Sequence, residues 1–194
     1  MEQIVINPDD ILTFWIDETG EEGWYRQSDA LDAEIRRRFQ DVWEAARNHQ
    51  LGWTPTPHST LALLIVLDQF PRNMFRGDPR AFATDRLALA KAKCAIEKDW
   101  DLRIDGPARQ FFYMPFEHSE CLADQERAVR LFLERMPESS ENLLHAQAHR
   151  DVIRRFGRFP TRNAVLSRSS TEAETSFLGD GGYGRVVDSL RQAS

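Results

Sequence analysis

From Leu61 to Leu67 every position is apolar, and the residues that follow are Asp68-Gln69-Phe70-Pro71-Arg72-Asn73. A helix that is apolar all round gains nothing from facing water and belongs in the middle of a domain. The pattern predicts a central buried helix from about His58 to Phe70. Pro71 should end it, because proline has no N–H for the next helical hydrogen bond and biases Phe70 away from the helical region. The helix thus delivers Asp68, Gln69, Arg72 and Asn73 to places where they need partners, from the chain itself or from a ligand.

The rest of the chain reads as helices too. Asn7-Pro8-Asp9-Asp10 combines an N-cap, a first-turn proline and two acids, and predicts a helix to about Asp17 anchored by Phe14 and Trp15. Gly20 and Gly23 predict a loop carrying Trp24 and Tyr25. Ser28 should cap a helix to about His49, with Leu31, Ile35, Phe39, Val42, Trp43 and Ala46 on its buried face. Gly77-Asp78-Pro79 opens a helix to about Lys98, and Asp105-Gly106-Pro107 a shorter one ended by Pro115. Ser119 is expected to cap a helix to about Met136 through Leu122, Val129, Leu131, Phe132 and Leu133. The next runs from Glu141 to Phe156 and stops at Gly157. Thr171 and Glu174 have the spacing of a capping box.

No segment alternates apolar and polar residues as a half-buried strand would. The fold class is all-α, with seven or eight helices in stacked antiparallel hairpins. Such hairpins stack side by side in solenoids, although no repeat of ~34 residues is visible. The expected organisation is one domain over 1–178, followed by a glycine-rich, mobile tail over 179–194 in which Val186, Val187 and Leu190 are available to dock.

Composition narrows the partners. A net charge of -6 and a pI near 5.4 argue against nucleic acid or a membrane surface. No apolar run reaches the ~18 residues of a membrane span, and Met1-Glu2-Gln3-Ile4 lacks the basic start of a signal peptide, so the expected location is the cytoplasm. Cys94 and Cys121 are too few for a disulfide framework.

The polar residues collect in three clusters: residues 68–73, Phe116-Glu117-His118-Ser119-Glu120, and Arg158-Phe159-Pro160-Thr161-Arg162-Asn163. The first and third echo each other, each placing Arg-Asn just after Phe-Pro. Arg72, Arg158 and Arg162 carry planar forks suited to a carboxylate or phosphate, and Gln69, Asn73 and Asn163 can orient such a ligand. His118 and His149 are the candidate proton carriers, with Asp68 or Glu120 to orient an imidazole. Together they describe a cleft for a small anionic molecule. The competing reading makes the same residues structural: Asp68 pairs with Arg162 or Glu120 with Arg72, the asparagines cap turns, and the helices form an adaptor for a peptide or partner protein.

Other chemistry is thinner. His145 and His149 share a helix face at a spacing that can hold a metal, but the glutamate of a metalloprotease motif is missing, and neither a metal nor a cofactor is assigned. Cys94 reads as a buried structural thiol, and Cys121 lies near His118. Ser119 reads as a helix cap rather than a nucleophile, since adjacent residues cannot place three groups on one reacting atom. Trp24-Tyr25 is the candidate for a groove or homodimer contact.

With these clusters in view, the chain resembles the bacterial family catalogued as domain of unknown function 924. The resemblance rests on Leu67-Asp68-Gln69-Phe70-Pro71-Arg72-Asn73, Phe82-Ala83-Thr84-Asp85, Tyr113-Met114-Pro115-Phe116-Glu117-His118-Ser119-Glu120 and His149 through Asn163, together with Phe14-Trp15. It implies a helical fold similar to tetratricopeptide proteins and no established activity. The sequence departs from the family pattern at Thr161, where histidine is usual, and at Ser167, where glycine is usual.

Overall fold

Thr56 Oγ1 accepts a hydrogen bond from the Ser59 N–H and Ser59 Oγ accepts one from the Thr56 N–H, so the buried run is launched by a complete capping box. The computed structural model describes residues 6–193, all of them in helices, turns or irregular backbone, with no strand among the described residues. The expectation about a signal peptide at Met1 to Ile4 lies outside them. The chain divides into two compact units, Met1–Pro115 and Phe116–Ser194.

In the first unit, α1 (Pro8–Leu12) starts at Asn7 as expected. It continues through a π-helical stretch, Thr13–Thr19, into α2 (Gly20–Trp24). The predicted glycine loop is therefore helical: Gly20 absorbs the break with a φ of 63° and the chain resumes at once. Then come α3 (Asp29–Arg47), α4 (Pro57–Leu64) and α5 (Phe70–Met74), with a π-helical segment, Ile65–Gln69, joining α4 to α5. Pro79–Phe82 is a 3₁₀ turn before α6 (Asp85–Glu97), and Asp101–Arg103 and Gly106–Phe112 are further 3₁₀ turns.

Leu61, Ala62, Leu64, Ile65, Val66, Leu67 and Phe70 are all buried, as a helix apolar on every side requires. Each large side chain so buried contributes about 1.5–3 kcal/mol. Phe39 stacks on Phe70 with ring centroids 4.9 Å apart, and Phe14 and Trp15 close on the same pair. Ala88, Ala92 and Ala95 give α6 a flat face for close helix packing.

Pro71 does not end the central helix, contrary to the sequence expectation. The π-turn makes the Phe70 N–H bond to the Ile65 carbonyl, five residues back, and carries the backbone through the proline to Met74. Proline leaves the carbonyl four residues earlier without its helical donor, and that carbonyl, Leu67, accepts from Thr84 Oγ1 at 2.5 Å. Trp43 Nε1 donates in turn to Thr84 Oγ1 at 3.1 Å.

The second unit begins within α7 (Met114–Glu117), which is followed by α8 (Leu122–Arg135), and α8 packs on α9 (Ser140–Phe156). Gly157, in the left-handed region at φ 68°, ends α9 as expected. Pro160–Arg162 is a 3₁₀ turn, and α10 (Glu172–Gly179) begins with the predicted Thr171–Glu174 capping box. The segment read as a glycine-rich tail forms α11 (Gly182–Ala193), whose Val187 is buried against Leu144 and Ala148 of α9. Ser119 is not the N-cap of α8. Cys121 holds that position, and Ser119 Oγ accepts from the Cys121 N–H at 3.2 Å and donates to Asp124 at 2.9 Å. Leu122 and Leu133 are exposed, and so are both cysteines, which corrects the buried-thiol reading of Cys94.

Candidate functional site

The first polar cluster is closed upon itself. Asp68 is 1% exposed and lies 3.3 Å from Arg72 Nη1, which also reaches Asp85 at 2.9 Å. Arg72 further donates to the Asp68 carbonyl at 2.6 Å. Burial works against its charge, but the pull of Asp68 and Asp85 outweighs burial and raises its pKa. Gln69 donates to Asp68 at 2.6 Å, and Asn73 accepts from Arg76, which is itself paired with Asp32. Asp85, which the sequence reading did not assign, is half of the reason Arg72 sits where it does.

The second and third clusters both lie in the second unit. Glu120 takes a two-pronged bond from Arg168, at 2.7 and 3.0 Å, and the Phe159 N–H at 2.8 Å. Burial tends to raise its pKa; the Arg168 and Phe159 hydrogen bonds, with the charges of Arg168 and Arg162, lower it overall. Arg158 pairs with Glu174 at 2.6 and 2.7 Å. That bond, followed by the Thr171 N–H, drives the Glu174 carboxyl far below the usual carboxylate range. Arg162 donates to the His118 carbonyl at 3.1 Å and lies over the Phe159 ring at 4.6 Å. Asn163 is buried and donates to Ser170 Oγ, while its Oδ1 has no partner.

What these clusters frame is a group of titratable side chains on α7, α9 and α11. Glu117, 4% exposed, puts Oε2 3.4 Å from His149 Nδ1, a separation and alignment short of a full hydrogen bond. The His118 ring meets the His149 ring edge-on at 6.2 Å. Tyr183 stacks near His149 at 4.8 Å and bonds His145 Nδ1 through its hydroxyl at 2.7 Å. Burial, with the Glu117 charge behind it, raises the Tyr183 phenol well above its ordinary range; burial pushes His145 below its ordinary 6.5.

The backbone beneath this group is fixed by one side chain. Gln125 is fully buried on α8, and its amide donates to the carbonyls of Glu117 and Ser119, both at 2.6 Å, and to that of Phe116 at 3.4 Å. Its own carbonyl oxygen is unpartnered. A buried acceptor left unpaired costs about 1–3 kcal/mol, so the amide is retained for what it donates. A buried carboxylate beside an imidazole can orient the ring and stabilise its protonated form, as in general acid–base sites.

The structure brings His118, His149, Glu120, Arg158, Arg162 and Asn163 into one unit, and places Asp68, Gln69, Arg72 and Asn73 in the other. Sequence reasoning missed Glu117, Tyr183, Gln125 and Arg168. The four-residue spacing of His145 and His149 was the available signal, weighed only as a metal pair and not assigned; Tyr183 packs against both rings. Among the described residues no three histidine, cysteine, aspartate or glutamate side chains are grouped to hold a metal ion. No helix among them is long and apolar enough to cross a membrane.

Comparison with known proteins agrees with this fold. A solved structure, that of a protein of unknown function from Agrobacterium tumefaciens, superimposes with a TM-score of 0.84 at 41% identity, covering 89% of this chain and 97% of the other. No curated protein matches the chain. Residues 11–182 match the family described as bacterial protein of unknown function (DUF924). The chain, all-α among its described residues, belongs to that family.

Proposed function

We propose that the second unit binds a small anionic molecule, bearing a carboxylate or phosphate, and exchanges a proton with it at His149. The observation that carries this reading is the buried Glu117 carboxylate 3.4 Å from His149 Nδ1, a pairing that packing alone does not need. His118 and Arg162 supply further polar and positive groups, and Glu120 acts through Arg168 to hold the 159–162 turn beside them. In this reading Asp68, Gln69, Arg72 and Asn73 are structural, the protein works in the cytoplasm, and its hairpins resemble tetratricopeptide stacking.

The test is a thermal-shift screen against carboxylated and phosphorylated metabolites, repeated with His149→Gln. A ligand at a hundred times its dissociation constant adds ~2.7 kcal/mol, a shift of roughly 5–10 °C in a domain of this size. A hit lost in a normally folded His149→Gln protein supports the site. A hit of undiminished size in that variant, or a blank screen, counts against it.

One observation favours the adaptor reading: Arg72, Arg158 and Arg168 each have a carboxylate partner inside their own unit. Its place would be the groove of about 530 Å³ in the first unit, where Leu12, Ile16 and Leu61 lie beside Asp9, Asp17 and Asp105. Asp17→Arg should then abolish retention of a co-purified partner, and a protein that retains none argues against this reading.

A further inference from the structure

His145 and His149 stand one helical turn apart on α9, and each has its Nδ1 beside a different kind of group. His145 Nδ1, at 2.7 Å, is the hydrogen-bond partner of the Tyr183 hydroxyl among the described residues; were that hydroxyl the acceptor, its own proton would be left without one, so the hydroxyl donates and His145 Nδ1 accepts. A neutral imidazole has one proton, and that of His145 must then sit on Nε2. At His149 the neighbour is a carboxylate, which only accepts. A bare Nδ1 lone pair 3.4 Å from Glu117 Oε2 would set two acceptors against each other in a nearly dry site, so Nδ1 carries the proton and Nε2 the lone pair.

We infer that Tyr183 and Glu117 hold His145 and His149 in opposite tautomers, so that the site offers one Nε2–H donor and one Nε2 acceptor to an oxygen acid that carries a single proton. A carboxylic acid or a monoprotonated phosphate has that complement: one oxygen accepts from His145, and one O–H donates to His149. When the proton moves, it passes from the acid oxygen to His149 Nε2, and the resulting imidazolium lies between the Glu117 carboxylate and the ligand anion. Around the pair, Glu117 and His118 face it from the segment at the end of α7, Tyr183 and Arg191 from α11, Phe159 from the following turn, and Glu141 from α9 itself. The assignment rests on the acid–base reading above for its ligand, and on ring partners alone for its tautomers.

The experiment is a two-bond nitrogen–proton NMR correlation on the full chain with labelled histidines, at alkaline pH where free imidazole is neutral. The expected spectrum has His145 protonated on Nε2 and His149 on Nδ1, the form that free histidine disfavours. In Glu117→Gln His149 should revert to the Nε2–H form, and Tyr183→Phe, which keeps the ring, should return His145 to a mixture while leaving His149 alone. A wild-type His149 found as Nε2–H overturns the inference. Titration with inorganic phosphate, which keeps one O–H at that pH, and separately with acetate at about pH 6, where the bound pair can take up the one proton that acetate lacks, should shift the Nε2 signals of both rings, and the stronger arm names the oxygen acid. Opposite tautomers with no response to either anion overturn the ligand assignment and, with it, the acid–base reading, while leaving the ring partners as found.

Discussion

Two stretches of this chain use nearly the same letters for different ends. Phe70-Pro71-Arg72-Asn73 is wound into a helix, and its arginine is enclosed by two carboxylates. Phe159-Pro160-Thr161-Arg162-Asn163 is a 3₁₀ turn, and its arginine lies flat on its own Phe159 while donating to a backbone carbonyl beside His118. The asparagines differ too: Asn73 is saturated by Arg76, whereas Asn163 keeps a buried oxygen without a partner. A short motif fixes which groups arrive at a place. The groups that meet each arginine decide what its charge does: Asp68 and Asp85 enclose Arg72, whereas Arg162 meets the His118 carbonyl and the Phe159 ring.

The contrast can be broken most forcefully at Arg72. Removing it takes the guanidinium from two carboxylates, one of them 1% exposed, so Arg72→Ala should cost roughly 3–5 kcal/mol and lower the melting temperature by roughly 10 °C. A small loss in calorimetry would mean that the enclosure is not structural. Acid is the next probe. The Glu174 carboxyl is depressed in the folded state relative to its ordinary 4.5, so its contribution is complete above that value and is lost as pH falls below it. Thermal midpoints measured down through that range should decline, and Glu174→Gln should decline less.

Arg162→Ala removes the guanidinium that donates to the His118 carbonyl and covers the Phe159 ring; it should cost less than Arg72→Ala, which takes a charge partner from the buried Asp68, yet move the His118 ring resonances in NMR spectra. An Arg162→Ala cost equal to that of Arg72→Ala would erase the distinction between the two motifs. The smallest effect is expected at Ser167, which sits at a φ of 54° just before the Arg168 that holds Glu120. Glycine adopts that backbone without strain, so Ser167→Gly should stabilise the chain by about 0.5 kcal/mol, visible as a small rise in denaturant midpoint.

The sequence showed the all-α class and the buried run at Leu61–Leu67 because both follow from local periodicity and from the absence of any polar face. Asn7, Gly157 and the Thr171–Glu174 box were legible for the same reason: caps are settled within a few residues. Pro71 was misread because its rescue comes from Thr84, seventeen residues later in the chain, and from a π-turn that periodicity does not signal. Tyr183 was hidden among four glycines, whose low helix propensity was overruled by docking of Val187 against α9. Glu117 lay in plain view between Phe116 and His118. Its role depends on a distance to His149, and spacing along the chain carries no information about that.

The π-helical segment at Ile65–Gln69 has a consequence for alignment and for engineering. Each residue of an α-helix turns the next by about 100°, so a wider turn holding one extra residue shifts every later side chain by that angle relative to a regular helical wheel. Deleting a single residue within 65–69 would let the helix close into regular geometry and swing Arg72 out of reach of Asp85 without touching either. A homologue aligned across this segment with a one-residue gap should therefore be expected to have rebuilt the whole carboxylate enclosure, and not merely to have shortened a helix.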